Sequence, residues 1–152
     1  MPYDTAEARG QLLDTLTQAT NRIGFALASL GEAYELLDEG NADRLEEELF
    51  RPVQTAYGRA KRVVTAFAAR HGLPHPNFPT ASPGGRSKGV RGFLDNALLG
   101  VGEADGTLAT LQDSGLLVDV GDAELRAGLE EVRRLCGSLR GGTRDFLRTL
   151  GR

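Results

Sequence analysis

Apolar and small residues recur at alternating four- and three-residue steps in four separate stretches of the chain. The first runs Leu16, Thr20, Ile23, Leu27, Leu30, Tyr34, Leu37, and the second Leu49, Val53, Ala56, Ala60, Val63, Phe67. The third runs Val90, Leu94, Ala97, Val101, Ala104, Leu108, Leu111, and the fourth Leu125, Leu129, Val132, Cys136, Leu139, Thr143, Phe146, Leu150. This spacing places each set on one stripe of a helix. Its 3.5-residue average is that of left-handed, knobs-into-holes packing. Four helices of roughly 25–35 residues follow, each about 35–50 Å long, and each stripe must be buried against partners. The pattern predicts an all-α fold, a left-handed up-down-up-down four-helix bundle forming a single domain over 1–152.

The breaks between the strings refine this picture. Gly40-Asn41 reads as a helix stop, and the short link after it suits antiparallel neighbours. Pro52 lies inside the second string and predicts a kink or break near Phe50-Arg51. Gly72, Pro74, Pro76, Pro79, Pro83, Gly84 and Gly85 mark the longest loop. The chain thus divides into a first hairpin over about 4–71, a loop over about 72–86 and a second hairpin over about 87–151. In the last connection, Leu116, Leu117, Val118 and Val120 are expected to fold over the bundle end. Residues 26–33 (ALASLGEA) match 97–104 (ALLGVGEA), and Val53, Tyr57, Gly58 and Phe67 match Val132, Cys136, Gly137 and Phe146. The two halves read as copies of one helical hairpin.

Charge is sorted along the chain. Residues 29–48 hold eight acids and one base, Arg44; residues 103–131 hold eight acids and one base, Arg126. From Leu49 to Leu94 there is no Asp or Glu at all, while Arg51, Arg59, Lys61, Arg62, Arg70, Arg86, Lys88 and Arg91 accumulate. The fourth string adds Arg133, Arg134, Arg140, Arg144 and Arg148. In an up-down-up-down bundle both acidic tips meet at one end and the basic segments at the other. Helix-dipole compensation accounts for part of this. The sharper reading is a docking surface for an acidic or phosphate-bearing partner, built from Arg59, Arg62, Arg70, Arg86, Lys88, Arg91, Arg144 and Arg148. The acidic end, equally, suits a basic partner or the basic end of another copy.

Composition limits the function classes. The formal net charge is −3, so a polyanion can be met only by a local patch. Aromatics make up 6% and Trp is absent, which suits an aliphatic core better than a base-stacking platform. The single Cys136 excludes an internal disulfide and points to a reducing compartment. Met1-Pro2-Tyr3-Asp4 has no basic or apolar leader character, and no apolar run approaches a membrane span. A cytoplasmic protein that engages no membrane is expected.

The candidate chemistry is sparse. Ser82-Pro83-Gly84-Gly85-Arg86-Ser87-Lys88-Gly89 leads into the third helix; it reads as a linker, or as a Gly-rich phosphate cradle helped by Arg86 and Lys88. It lacks the Walker A spacing. His71 and His75 are separated by Gly72 and Pro74 and cannot share a helix face, and the repeat puts His71 at the core edge. No Glu-x-x-His pair exists for di-iron binding, and no metal or cofactor is expected. Cys136, at a heptad core position, reads as a buried hydrophobe. Gly102 and Gly106, and Gly137 and Gly141, lie on outward arcs; Leu99 and Ala109 extend the first pair into a smooth strip that predicts a homodimer.

Arg70-His71-Gly72-Leu73-Pro74-His75 resembles the R-x4-6-H motif of HEPN-type bundle ribonucleases. The resemblance implies an Arg and a His, here Arg70 and His75, acting on an RNA phosphodiester; here the motif runs through Gly and Pro. The favoured function is a non-enzymatic, charge-polarised interaction module for an unknown protein partner or polyanion. The alternative is a ligand-binding or enzymatic bundle with a pocket between the helices, whose polar groups would be Thr20, Thr143, Tyr34 and His71.

Overall fold

The four heptad strings become four long helices. In the computed structural model, which describes residues 6–79 and 89–150, they are α1 (Ala6–Leu36), α3 (Arg51–Arg70), α4 (Gly89–Asp113) and α6 (Ala123–Leu150). Two short helices, α2 (Glu39–Leu45) and α5 (Gly115–Val120), join them. The described residues contain no strand, so the fold is all-α. None of these helices is long and apolar enough to cross a membrane.

Local chemistry sets the helix ends. Asp38 caps α2, its carboxylate accepting the Asn41 amide at 2.8 Å. Gly121 ends α5 at φ 70°, a left-handed conformation that glycine adopts without a Cβ clash. Pro52 has no N–H to donate, and its ring crowds the carbonyl four residues earlier. The chain absorbs this in a π-helical turn, Glu46–Phe50, where the Arg51 N–H donates to the carbonyl of Glu46, five residues back. The expected break near Phe50-Arg51 is therefore a widened turn in an otherwise continuous helical run from α2 into α3.

Burial follows the strings, with one offset on α1. Leu94, Ala97, Val101, Ala104, Leu108 and Leu111 are buried on α4, as are Leu125, Leu129, Val132, Cys136, Leu139, Thr143 and Phe146 on α6. On α1 the buried positions shift from Leu27 and Tyr34 to Ala26 and Ala33. The buried set Leu12, Leu16, Ala19, Ile23, Ala26, Leu30 and Ala33 keeps the heptad step, but on the neighbouring stripe. Tyr34, on the flank of that stripe, stands 36% exposed. On α3, Val64 is buried where the string named Val63. Leu117 and Val120 of α5 join the core, as their place at the end of the helices requires.

Helix directions follow from which residues meet. The Tyr57 ring lies over Gly24 and Phe50 over Gly31, so α3 runs antiparallel to α1. Arg59 meets Glu131, Val63 meets Gly128 and Arg70 meets Asp122, so α6 runs antiparallel to α3. Gly100 of α4 abuts Arg22, Phe25 and Ala26, whereas Leu108 shares a void with Leu16, Ala19 and Thr20. Thus α4 runs antiparallel to α1, against which it packs most extensively. The order of directions is up, down, down, up, where the sequence pattern predicts up-down-up-down. The connection from residue 71 to residue 88 makes this feasible. Eighteen residues can span about 60 Å, against about 37 Å for the 25 residues of α4.

This reversal corrects the predicted charge polarity. The tip between α1 and α3 lies beside the C-terminal end of α6, where Arg44 donates to the Thr149 hydroxyl at 3.2 Å. The tip between α4 and α6 lies at the opposite end, beside Arg70 and His71. The two acidic tips therefore sit at opposite ends, each against a basic segment of the other hairpin.

Candidate functional site

The outer face of α3 carries the basic residues that come together. Arg59, Arg62 and Arg70 line one surface pocket of about 220 Å³, with Val63, Ala66 and Glu124. No acid occurs on α3, and α6 supplies the carboxylates. Arg59 donates to Glu131 at 2.8 Å, and Arg70 to Glu124 at 3.0 Å. Helix α6 comes this close because residue 128 is glycine: a Cβ there would stand 2.7 Å from Cγ2 of Val63. Arg62 is exposed and forms no ion pair among the described residues. A neighbouring groove, of about 330 Å³, shares Arg62 and Ala66 and adds Lys61, Thr65 and Ala69. The Lys61 ammonium sits 4.3 Å from the Tyr57 ring centroid. Arg62, the one of the three pocket arginines without an ion pair among the described residues, can fork onto a carboxylate or phosphate over the apolar floor of Val63 and Ala66.

One residue of this region was not legible as a site residue. Asp122, almost wholly buried, is the first-turn cap of α6 and accepts the Leu125 amide at 3.0 Å. It also accepts from Arg70, at 2.8–3.0 Å, and meets Nε2 of His71 at 2.9 Å. Burial opposes its charge, but the Leu125 amide, His71 and Arg70 outweigh burial and hold the carboxyl below the usual carboxylate range. Its signal in the sequence was only that of an Asp placed just before a heptad string. His71 packs its ring on Phe67 at 4.7 Å, in keeping with a core-edge histidine.

The remaining predicted basic residues do not join this cluster. Arg91 is in the first turn of α4, and Arg144 and Arg148 are in the last turns of α6, at the opposite end from Arg70. Arg148 pairs with Asp145. Arg86, Lys88 and the Gly-rich segment before α4 lie outside the described residues. The six described members of the basic set are thus divided between two ends, because α4 and α6 run in directions that separate their basic turns from that of α3.

Catalytic arrangements gain little. The guanidinium of Arg70 is committed to Asp122 and Glu124, while Nδ1 of His75 bonds the Pro76 carbonyl at 2.8 Å. The void between the helices, lined by Leu16, Thr20, Ile23 and Val64 among others, measures about 10 Å³, at most one water. Thr20 and Thr143 donate to the carbonyls of Leu16 and Leu139 rather than into a pocket. Among the described residues no group of three His, Cys, Asp or Glu side chains could hold a metal ion.

A second concavity lies at the other end of the same hairpin. Gly31, Tyr34, Glu35, Glu46 and Phe50 line a groove of about 240 Å³ between the last turns of α1 and the π turn. Tyr34, left on the flank of the buried stripe, makes one wall, and the π turn supplies the other. Comparison with known protein families, with curated proteins and with solved structures finds no match for this chain.

Proposed function

We propose that this chain is a non-enzymatic helical interaction module that takes an acidic partner against the outer face of α3. The observation that carries the reading is the pocket shared by Arg59, Arg62 and Arg70. Glu131, Asp122 and Glu124 fix two of these arginines in advance, which lowers the ordering cost of binding. Arg62 brings an uncompensated charge, and Val63 and Ala66 an apolar floor. An acidic protein segment fits better than a nucleic acid. Glu124 in the lining would repel a continuous run of phosphates, and no aromatic lines the pocket for base stacking.

The test is fluorescence anisotropy with a labelled Asp/Glu-rich peptide and with labelled single- and double-stranded RNA and DNA, across a salt series. The expected result is salt-sensitive micromolar binding of the peptide, lost in Arg62→Glu without a change in melting temperature. Tighter binding of nucleic acid than of peptide replaces the acidic segment by a polyanion. No binding of any probe at low salt overturns the proposal.

The proposal extends to origin and assembly. Two similar hairpins whose equivalent helices lie antiparallel, α1 beside α4 and α3 beside α6, suit a duplicated unit. A homodimer through the outer face of α4 is favoured by Leu99, 54% exposed, and by Gly106 one heptad on, which opens onto free space. Light scattering should return twice the chain mass, and Leu99→Lys should return the single chain mass.

A further inference from the structure

We propose that the groove between the end of α1 and the π turn receives an arginine side chain from a partner protein, held between Tyr34, Phe50 and the carboxylates of Glu35 and Glu46. This site is separate from the α3 face and does not rest on it.

Size comes first. At about 240 Å³ the groove falls below the roughly 300 Å³ at which small-molecule pockets begin. It suits one inserted side chain rather than a cofactor. Its walls specify the sign of charge. Aromatic ring faces are electronegative and attract cations, and the two carboxyl side chains in the lining, Glu35 and Glu46, are its only charged residues. Among the described residues the one ion pair to them is from Arg51, whose Nη2 reaches Glu46 at 3.9 Å, a loose and exposed contact. Glu35 has no ion pair among the described residues.

The chain itself supplies the precedent. It places a cation over the other part-exposed aromatics of its long helices: Arg22 over Phe25 at 5.3 Å and Lys61 over Tyr57 at 4.3 Å. Even buried Phe146 has Arg44 over it at 5.0 Å. The Phe50 site repeats the Tyr57 site one heptad away. Tyr57 lies over Gly24, and Phe50 lies over Gly31, seven residues further along α1. Four residues after Tyr57 stands Lys61, which covers its ring; four residues after Phe50 stands Gln54, which is neutral. The same ring-on-glycine device thus occurs twice, once with its cation and once without. The second copy opens on a groove that Glu35 and Glu46 also line.

An arginine matches this site better than a lysine. Its planar guanidinium stacks flat on an aromatic ring while its N–H fork meets a carboxylate. The negative lining excludes RNA and DNA.

The test uses three labelled peptides in one Gly/Ser-rich host sequence, carrying arginine, lysine or glutamine at the same three positions, read by anisotropy on the full chain. The arginine peptide should bind at least about tenfold more tightly than the glutamine peptide, and measurably more tightly than the lysine peptide. Tyr34→Ala and Glu35→Gln, both at exposed positions, should remove that preference. Gln54→Lys should also remove it, by supplying from within the cation that Lys61 gives Tyr57. Arg62→Glu on the α3 face should leave it unchanged, so failure here is distinguishable from failure of the acidic-partner reading. Equal binding of all three peptides, or binding indifferent to Tyr34→Ala and Gln54→Lys, overturns the proposal. Self-association that is abolished by Gln54→Lys would instead assign the groove to a second copy.

Discussion

Arg70 grips both carboxylate oxygens of Asp122, its Nε and Nη2 donating at 3.0, 2.9 and 2.8 Å across 52 residues of sequence. The pair ties the last turn of α3 to the first turn of α6. The Asp122 side chain is 6% exposed and that of Arg70 31%. Removing Asp122 leaves the part-exposed Arg70 with its outer contact to Glu124 only. Asp122→Ala also deletes the cap of α6 and the partner of His71. We expect it to destabilise the fold by about 2–3 kcal/mol, from the lost cap and the lost charged hydrogen bonds, read from urea unfolding at neutral pH. A loss below about 1 kcal/mol would mean that this contact is no more than an exposed ion pair.

The same carboxyl makes stability depend on acid. Its folded pKa lies below the unfolded value, despite burial, because the Leu125 amide, His71 and Arg70 favour the charged form. Folding therefore gains from Asp122 above the unfolded carboxylate pKa of about 3.9, and the gain disappears as pH falls through the lower folded value. Urea midpoints of the parent chain should fall between pH 6 and pH 3 more steeply than those of Asp122→Asn. Parallel curves for the two proteins would show that the carboxyl is not held below its ordinary range.

Glycines at two positions of α4 should respond in opposite directions to the same change. A Cβ at Gly100 would stand 2.7 Å from the backbone oxygen of Arg22, and close to Phe25 and Ala26. Backbone cannot rotate away, so α1 and α4 must separate. Gly100→Ala is expected to cost about 1–3 kcal/mol, more than the roughly 1 kcal/mol that alanine gains over glycine inside a helix. Gly106 has open space around it, so Gly106→Ala should stabilise by up to about 1 kcal/mol. Thermal melts of the two variants, shifted in opposite senses, would verify the α1–α4 packing.

Much of the core was legible because burial of α4 and α6 keeps the heptad step from Leu94 to Leu111 and from Leu125 to Phe146. The direction of α4 was not legible. A heptad stripe reads the same in either direction, and only the route from residue 71 to residue 88 decides. That one reversal moved the acidic tips to opposite ends and split Arg59, Arg62 and Arg70 from Arg91, Arg144 and Arg148. Asp122 was hidden for a related reason: its partners Arg70 and His71 lie 52 and 51 residues away, where no local spacing rule reaches. Tyr34 reads as core because Leu27 and Tyr34 complete a heptad with Leu16, Ile23 and Leu30 as well as Ala26 and Ala33 do, and only the placement of the neighbouring helices decides which flank is covered. The groove it helps form depends on that choice of flank and on the π turn that Pro52 imposes.

Cys136 gives the last prediction. The thiol is buried, and burial first, then the nearby Asp105 carboxylate, pushes its pKa up to about 12, against a partial opposing pull from Arg133 and Arg140. A thiol disulfide-exchange reagent needs both access and thiolate, and the native protein offers neither. At pH 8 the folded chain should react orders of magnitude more slowly than the same chain in denaturing urea. Under native conditions the rate should follow the opening of the core, so Gly100→Ala should speed it and Gly106→Ala should slow it. Rapid stoichiometric labelling of the native chain would place Cys136 at the surface, and the α6 stripe with it.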